Sequence, residues 1–92
     1  MTTDTNPHLT TLYVTRSIGE EQPTSEWLCT YYGLSPRTLK RHIEEARHLG
    51  AKLKAVRMMD RHFHWTCENW PQIHARGLLA KWIELEEQRQ IA

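Results

Sequence analysis

Apolar residues recur along this chain with a helical period in four stretches and with a strand-like alternation in one. Between His8 and about Ile18, Leu9, Leu12, Tyr13 and Val14 can share a helical face, and a short helix is expected there despite the weak helix formers Thr and Val. The segment GEEQP, Gly19 to Pro23, reads as a loop. Thr24 or Ser25 is placed to cap a second helix carrying Trp27, Leu28, Tyr31 and Tyr32, with Gly33 closing it in the left-handed conformation. Ser35 is a ready N-cap and Pro36 suits the first helical position, so a third helix over 36–49 starts almost at once. Two helices joined by so short a turn must cross steeply, which predicts a helix-turn-helix.

On the third helix Leu39, Ile43 and Ala46 fall on one side, with Leu49 at its edge, and Arg37, Lys40, Arg41 and Glu44 lie towards the other. The spacings Lys40/Glu44 and Arg41/Glu45 would also suit ordinary ion pairs on a solvated helix. After Gly50 the sequence AKLKAVRMMDRHFHWTCE alternates in its second half, Phe63, Trp65 and Cys67 against His62, His64 and Thr66. Leu53 and Ala55 are expected inward, Lys52 and Lys54 outward, and the turn of a two-stranded hairpin near Asp60–His62. From Asn69, read as an N-cap, a single helix is predicted to about Arg89. Its apolar residues, among them Leu78, Leu79, Trp82 and Leu85, spread over an arc wider than one small domain needs. The expectation is therefore a mostly α fold with a small β-hairpin: a polar, disordered tail over 1–7, a winged helix-turn-helix over 8–67, and a C-terminal helical segment over 68–92 that pairs two copies through Leu78, Leu79, Trp82 and Leu85.

Composition narrows the class of partner. Ninety-two residues with four Trp and 25% charged side chains suit one small globular domain. No apolar run is long enough to span a bilayer and the first residues do not have the layout of a secretion signal, so a cytoplasmic location is expected. The net charge of +1 is unevenly placed. Residues 1–34 carry a net −3 and residues 63–92 a net −1, whereas residues 35–62 carry eight Lys/Arg against three acids, a net +5. A positive field concentrated on the third helix and hairpin is the footprint that phosphate binding requires.

The stretch TSEWLCTYYGLSPRTLKRHIEEARHLGAKL resembles the winged helix-turn-helix of DeoR-type bacterial regulators, in which a Ser-x-x-Thr step and an Arg-rich helix precede a Leu-x-x-Leu-Gly segment and a hairpin wing. Ser35, Thr38, Arg37, Arg41, Leu49 and Gly50 match those features; Ala46 stands where the earlier leucine belongs, His42 where a small or acidic residue is usual, and the wing lacks glycines at its tip. The resemblance implies a sequence-specific regulator, expected to be a repressor from a phage, plasmid or other mobile element. Ser35, Arg37, Thr38, Lys40 and Arg41 would then face double-stranded DNA with the helix in the major groove, Arg37 and Arg41 reading bases and Thr38 and Lys40 holding phosphate. Lys52, Lys54, Arg57 and Arg61 would serve phosphate or the minor groove from the wing. Two alternatives stand beside this: an excisionase-like architectural protein that bends DNA, and a protein-interaction module anchored by Trp65, Trp70 and Trp82.

Other chemistry is weakly signalled. His62, His64, Cys67 and His74 are metal-capable, but Cys67 would point away from His62 and His64, and no Cys-x-x-Cys pair occurs, so no metal or other cofactor is expected. Cys29 and Cys67 are expected as free thiols. No phosphate loop, nucleophile motif or paired-carboxylate site marks an enzyme.

Overall fold

The computed structural model describes the chain from Pro7 to Ile91; of the tail expected over 1–7, residues 1–6 lie outside the described residues and Pro7 instead opens the first helix. Its elements in order are α1 (Pro7–Glu21), α2 (Ser25–Tyr32), α3 (Pro36–Leu49), β1 (Leu53–Arg57), β2 (Phe63–Cys67), α4 (Trp70–Ala75) and α5 (Leu78–Ile91). The fold is mostly helical, with one two-stranded antiparallel hairpin.

The α2–α3 corner forms as its residues dictate. The Thr24 hydroxyl accepts from the Trp27 N–H at 3.1 Å and opens α2. Gly33, at φ 66°, closes it by returning its N–H to the Cys29 carbonyl. Ser35 then accepts from the Thr38 N–H at 3.2 Å, with Pro36 at the start of α3. The Thr24 and Ser35 hydroxyls satisfy backbone donors that a helix start leaves bare, and Gly33 satisfies a carbonyl at a helix end.

The core lies where α1, α2, α3 and α5 meet the base of the hairpin. Leu12, Val14 and Ile18 from α1 join Leu28, Tyr32, Leu39, Ile43, Ala46, Leu53, Ile73, Leu79 and Ile83. Three buried threonines share the α1 surface; Thr15 donates to the Thr11 carbonyl at 2.8 Å, a local bond that removes the cost of burying its hydroxyl. Thr11 donates in turn to the Pro7 carbonyl and stands 2.7 Å from Nδ1 of buried His42, so its remaining lone pair accepts the imidazole N–H. Burial pushes the His42 pKa down, favouring the neutral ring.

The hairpin has the register Leu53↔Cys67 through Arg57↔Phe63, with its turn at 58–62. A third segment lies along it: Thr24 bridges to His64, and the Trp65 N–H donates to the Pro23 carbonyl at 2.8 Å.

Three further expectations are corrected. The first helix continues through Gly19 to Glu21 instead of yielding to a loop. Ala55 is exposed, because only the base of the hairpin rests on the core and the strands beyond it stand in solvent; Phe63 is 60% exposed. The single C-terminal helix is two, broken at Gly77, whose φ of 64° no continuous helix accepts. Asn69 takes the N-cap position of α4 as expected but makes no side-chain cap bond: its side chain accepts from the Lys52 N–H at 2.9 Å and donates to the Gly50 carbonyl at 2.8 Å, tying the α3–β1 connection to the end of β2.

Candidate nucleic-acid interface

Burial of Leu39, His42, Ile43 and Ala46 fixes the rotation of α3 and leaves Arg37, Lys40, Arg41, Glu44 and His48 exposed. The acids that could neutralise this face look elsewhere. Glu44 receives Arg47 Nη1 at 2.6 Å, and Glu45 meets Nδ1 of His8 at 3.0 Å across the α1 boundary. The ion pairs Lys40–Glu44 and Arg41–Glu45 that the spacing allows are not formed among the described residues. Three cations therefore stand together on the outer face of α3.

The other expected contact residues are placed unevenly. Ser35 and Thr38 serve the start of α3, Ser35 Oγ both capping the Thr38 N–H and donating to the Thr38 hydroxyl at 3.0 Å. Lys52 is exposed at the entry to β1. Lys54 is not the unpaired cation expected: its ammonium meets Glu68 at 2.6 Å, and that contact holds the Glu68 carboxyl below the usual carboxylate range. Arg57 lies over the Phe63 ring at 6.0 Å, and Arg61 occupies a left-handed position, φ 67°, in the turn. At the tip of the hairpin, which has no glycine, stand this left-handed arginine and an Asp60 carboxylate that accepts from the His62 N–H at 3.0 Å.

Arg47, not singled out in the sequence, is the strut of the site. Its Nε and Nη2 donate to the Leu53 carbonyl at 3.2 and 3.0 Å, its Nη1 holds Glu44, and its guanidinium lies 5.8 Å from the centre of the Trp65 ring. One side chain thus couples α3 to both strands. Trp65 is fixed further by its indole N–H, which donates to Ser25 Oγ at 2.7 Å. Between these elements runs a cleft of about 520 Å³, floored by Cys29, Leu39 and Ile43 and rimmed by Glu26, Lys40, Glu44 and Arg47. The sequence signal for Arg47 was its position, one turn beyond Ile43 and six residues before Leu53; what it lacked was the crossing angle that brings β1 beneath it.

The metal-capable residues are dispersed. His64 directs Nδ1 to the Gln22 carbonyl at 2.7 Å and Nε2 to Asp60 at 2.9 Å, Cys67 donates to Asn69 Oδ1 at 3.2 Å, and His62 is exposed on the turn. No cluster of three His, Cys, Asp or Glu side chains suited to a metal ion occurs among the described residues. Both thiols are free, and burial pushes their pKa values up, which keeps them protonated and poorly nucleophilic. No described helix is long and apolar enough to cross a membrane.

The proposed pairing residues divide. Leu79 is buried in the domain's own core, so it is not a contact for a second copy. Leu78 and Trp82 are half-buried against that core, and Leu85 is 49% exposed beside a shallow hollow lined by Trp82, Glu86, Gln88 and Arg89. The break at Gly77 divides the arc: Leu79 and Ile83 of α5 enter the core, and Leu85 with part of Trp82 stays outside it. No protein-family model, curated protein or solved structure matches the chain.

Proposed function

We propose that this chain is a winged helix-turn-helix protein that binds double-stranded DNA sequence-specifically and regulates transcription. The observation that carries the reading is the exposed row Arg37, Lys40 and Arg41 on α3, without an acidic partner among the described residues while the neighbouring acids are engaged by Arg47 and His8. The order of elements supports it: a helix, a single bridge at Thr24, two helices around the Gly33 turn, then a hairpin whose inner strand takes that bridge. Arg37 and Arg41 are the base-reading side chains, since a guanidinium engages guanine with two parallel hydrogen bonds. Lys40, Lys52, Arg57 and Arg61 hold backbone phosphate, and Ser35 and Thr38 keep the first turn of α3 rigid for that approach. Two copies pair through Leu85 and Trp82, with Leu78 behind them. The test is the salt dependence of binding to duplex DNA: neutralising several phosphates releases counterions, so affinity must fall steeply and log-linearly with salt. A flat dependence, or no binding, removes the reading.

A DNA-bending variant of the same reading draws on the hairpin turn. Met59 is fully exposed there with Phe63 nearby, between Arg57 and Arg61, and an apolar tip beside cations is the form of a minor-groove wedge. Bending measured by end-to-end energy transfer on a bound duplex, lost in Met59→Ala, is the expected sign of that role; an unbent duplex excludes it.

A further inference from the structure

A second exposed surface lies on the other flank of α2, and it is unlike the α3 face in both charge and chemistry. Trp27 and Tyr31, one helical turn apart, stack with ring centres 4.8 Å apart and planes within 10°, yet they are 40% and 65% exposed. Two large rings stacked in solvent are held there by what stands behind them. Tyr31 meets Tyr32 edge-on at 4.9 Å, and Tyr32 is buried with its hydroxyl donating to the Tyr13 carbonyl at 3.0 Å and bonded to Ser17 at 2.5 Å. The three rings form a ladder from the core to the surface, so the outer pair is fixed before any partner arrives, which lowers the entropy lost on binding.

The groove beside this pair, about 360 Å³, is walled by α1 through Arg16, Ser17, Glu20 and Glu21. Among the described residues Glu20 has only a long 4.0 Å contact with Arg16, whose guanidinium lies over the Tyr13 ring at 5.1 Å. The surface thus combines a flat aromatic plane with a carboxylate excess, in the part of the chain that carries a net −3. Two carboxylates against one guanidinium give duplex DNA no favourable footing there. A guanidinium is suited to both halves: it lies flat on a ring and its edge donates to carboxylates.

We propose that the Trp27–Tyr31 face is a docking surface for an arginine-bearing segment of a partner protein, with the arginine laid on the stacked pair and paired to Glu20 or Glu21. The proposal is independent of the DNA reading, though compatible with it. The α3 cleft uses Glu26 and Cys29 of α2 and the docking groove uses Trp27 and Tyr31, so the two hollows share no lining residue.

The test follows the indole N–H signals of the full chain by NMR while a short peptide alternating arginine and serine is added, with a lysine–serine peptide beside it. Trp27→Phe assigns the Trp27 signal among the four tryptophans. Saturable movement of the Trp27 signal is expected with the arginine peptide, several-fold weaker binding with the lysine peptide, and about tenfold weaker binding of the arginine peptide to Trp27→Ala/Tyr31→Ala. Glu20→Gln/Glu21→Gln should weaken it while leaving the ring stack intact. Absence of saturation up to millimolar peptide overturns the proposal, as does equal binding of the two peptides or undiminished binding to the ring-less variant. A Trp27 signal that moves with protein concentration alone would assign the face to a second copy of the chain and overturn it equally.

Discussion

Gly19 lies inside α1, where replacing glycine by alanine ordinarily stabilises a helix by about 0.5–1 kcal/mol. Here the sign should reverse. A Cβ built on Gly19 would fall 2.2 Å from Cδ2, 2.4 Å from Cε3 and 2.6 Å from Cε2 of the Trp70 indole, so the ring sits flat against the bare helix backbone. Alanine must push out a bicyclic ring that is packed against the core on one side and next to His74, at 5.7 Å, on another. Overpacking of this kind costs about 1–3 kcal/mol, which outweighs the helix gain and leaves Gly19→Ala destabilised by about 1–2 kcal/mol. For a domain of this size the melting temperature should fall by about 5–15 °C, read by circular dichroism. In a Trp70→Ala background the obstacle is gone, and the same Gly19→Ala change should stabilise by about 0.5–1 kcal/mol, measured by denaturant titration. If Gly19→Ala raises the melting temperature in the parent, or lowers it equally in both backgrounds, the α1–α4 contact is not as described.

The remaining predictions concern caps, ties and protons. Ser35→Ala removes the acceptor for the Thr38 N–H and should cost about 1 kcal/mol in chemical denaturation; no loss would mean that water serves the α3 start equally well. Asn69→Ala strips partners from the Lys52 N–H and Gly50 carbonyl and should cost about 1–3 kcal/mol, with faster amide exchange at Lys52; unchanged exchange refutes the clamp. His64 and His42 should give opposite pH trends. The Gln22 carbonyl and Asp60 raise the His64 pKa, so its contribution is full below the unfolded value of about 6.5 and fades as pH rises through the higher folded value. Burial depresses the His42 pKa, so its contribution is full above about 6.5 and is lost as pH falls through the lower folded value. Titrating both rings by NMR checks the two directions, and a pair of unshifted histidines would contradict them.

Local chemistry was the most legible part of the sequence. Gly33, Ser35 and Pro36 act within a few residues of themselves, and each does what its backbone or side chain prefers in isolation. The hairpin turn was legible for the same reason, through alternation on one strand. What escaped were features decided by a distant partner. Gly19 reads as punctuation until Trp70, far along the chain, is laid on the bare backbone it leaves within a helix that runs on to Glu21. Asn69 reads as a cap until Gly50 and Lys52 claim its amide. Gly77 lies in a long periodic segment that tolerates one glycine on paper, and only its left-handed backbone reveals the break that sends Leu79 into the core. On α3 the outward position of Arg37, Lys40 and Arg41 followed from periodicity, whereas their freedom from Glu44 and Glu45 depended on Arg47 and His8.

The central claim is that the α3 face reads DNA, and the most direct measurement is selection of bound sequences from a random duplex pool, followed by titration of the selected site and of scrambled duplex with the parent, Arg37→Ala and Lys52→Ala. The account predicts a defined consensus from the parent. Arg37→Ala should lose about 1–3 kcal/mol at one base pair and relax preference there, while Lys52→Ala should weaken all duplexes alike and flatten the salt dependence. Enrichment of no sequence, or indistinguishable titrations for all three proteins, would contradict it.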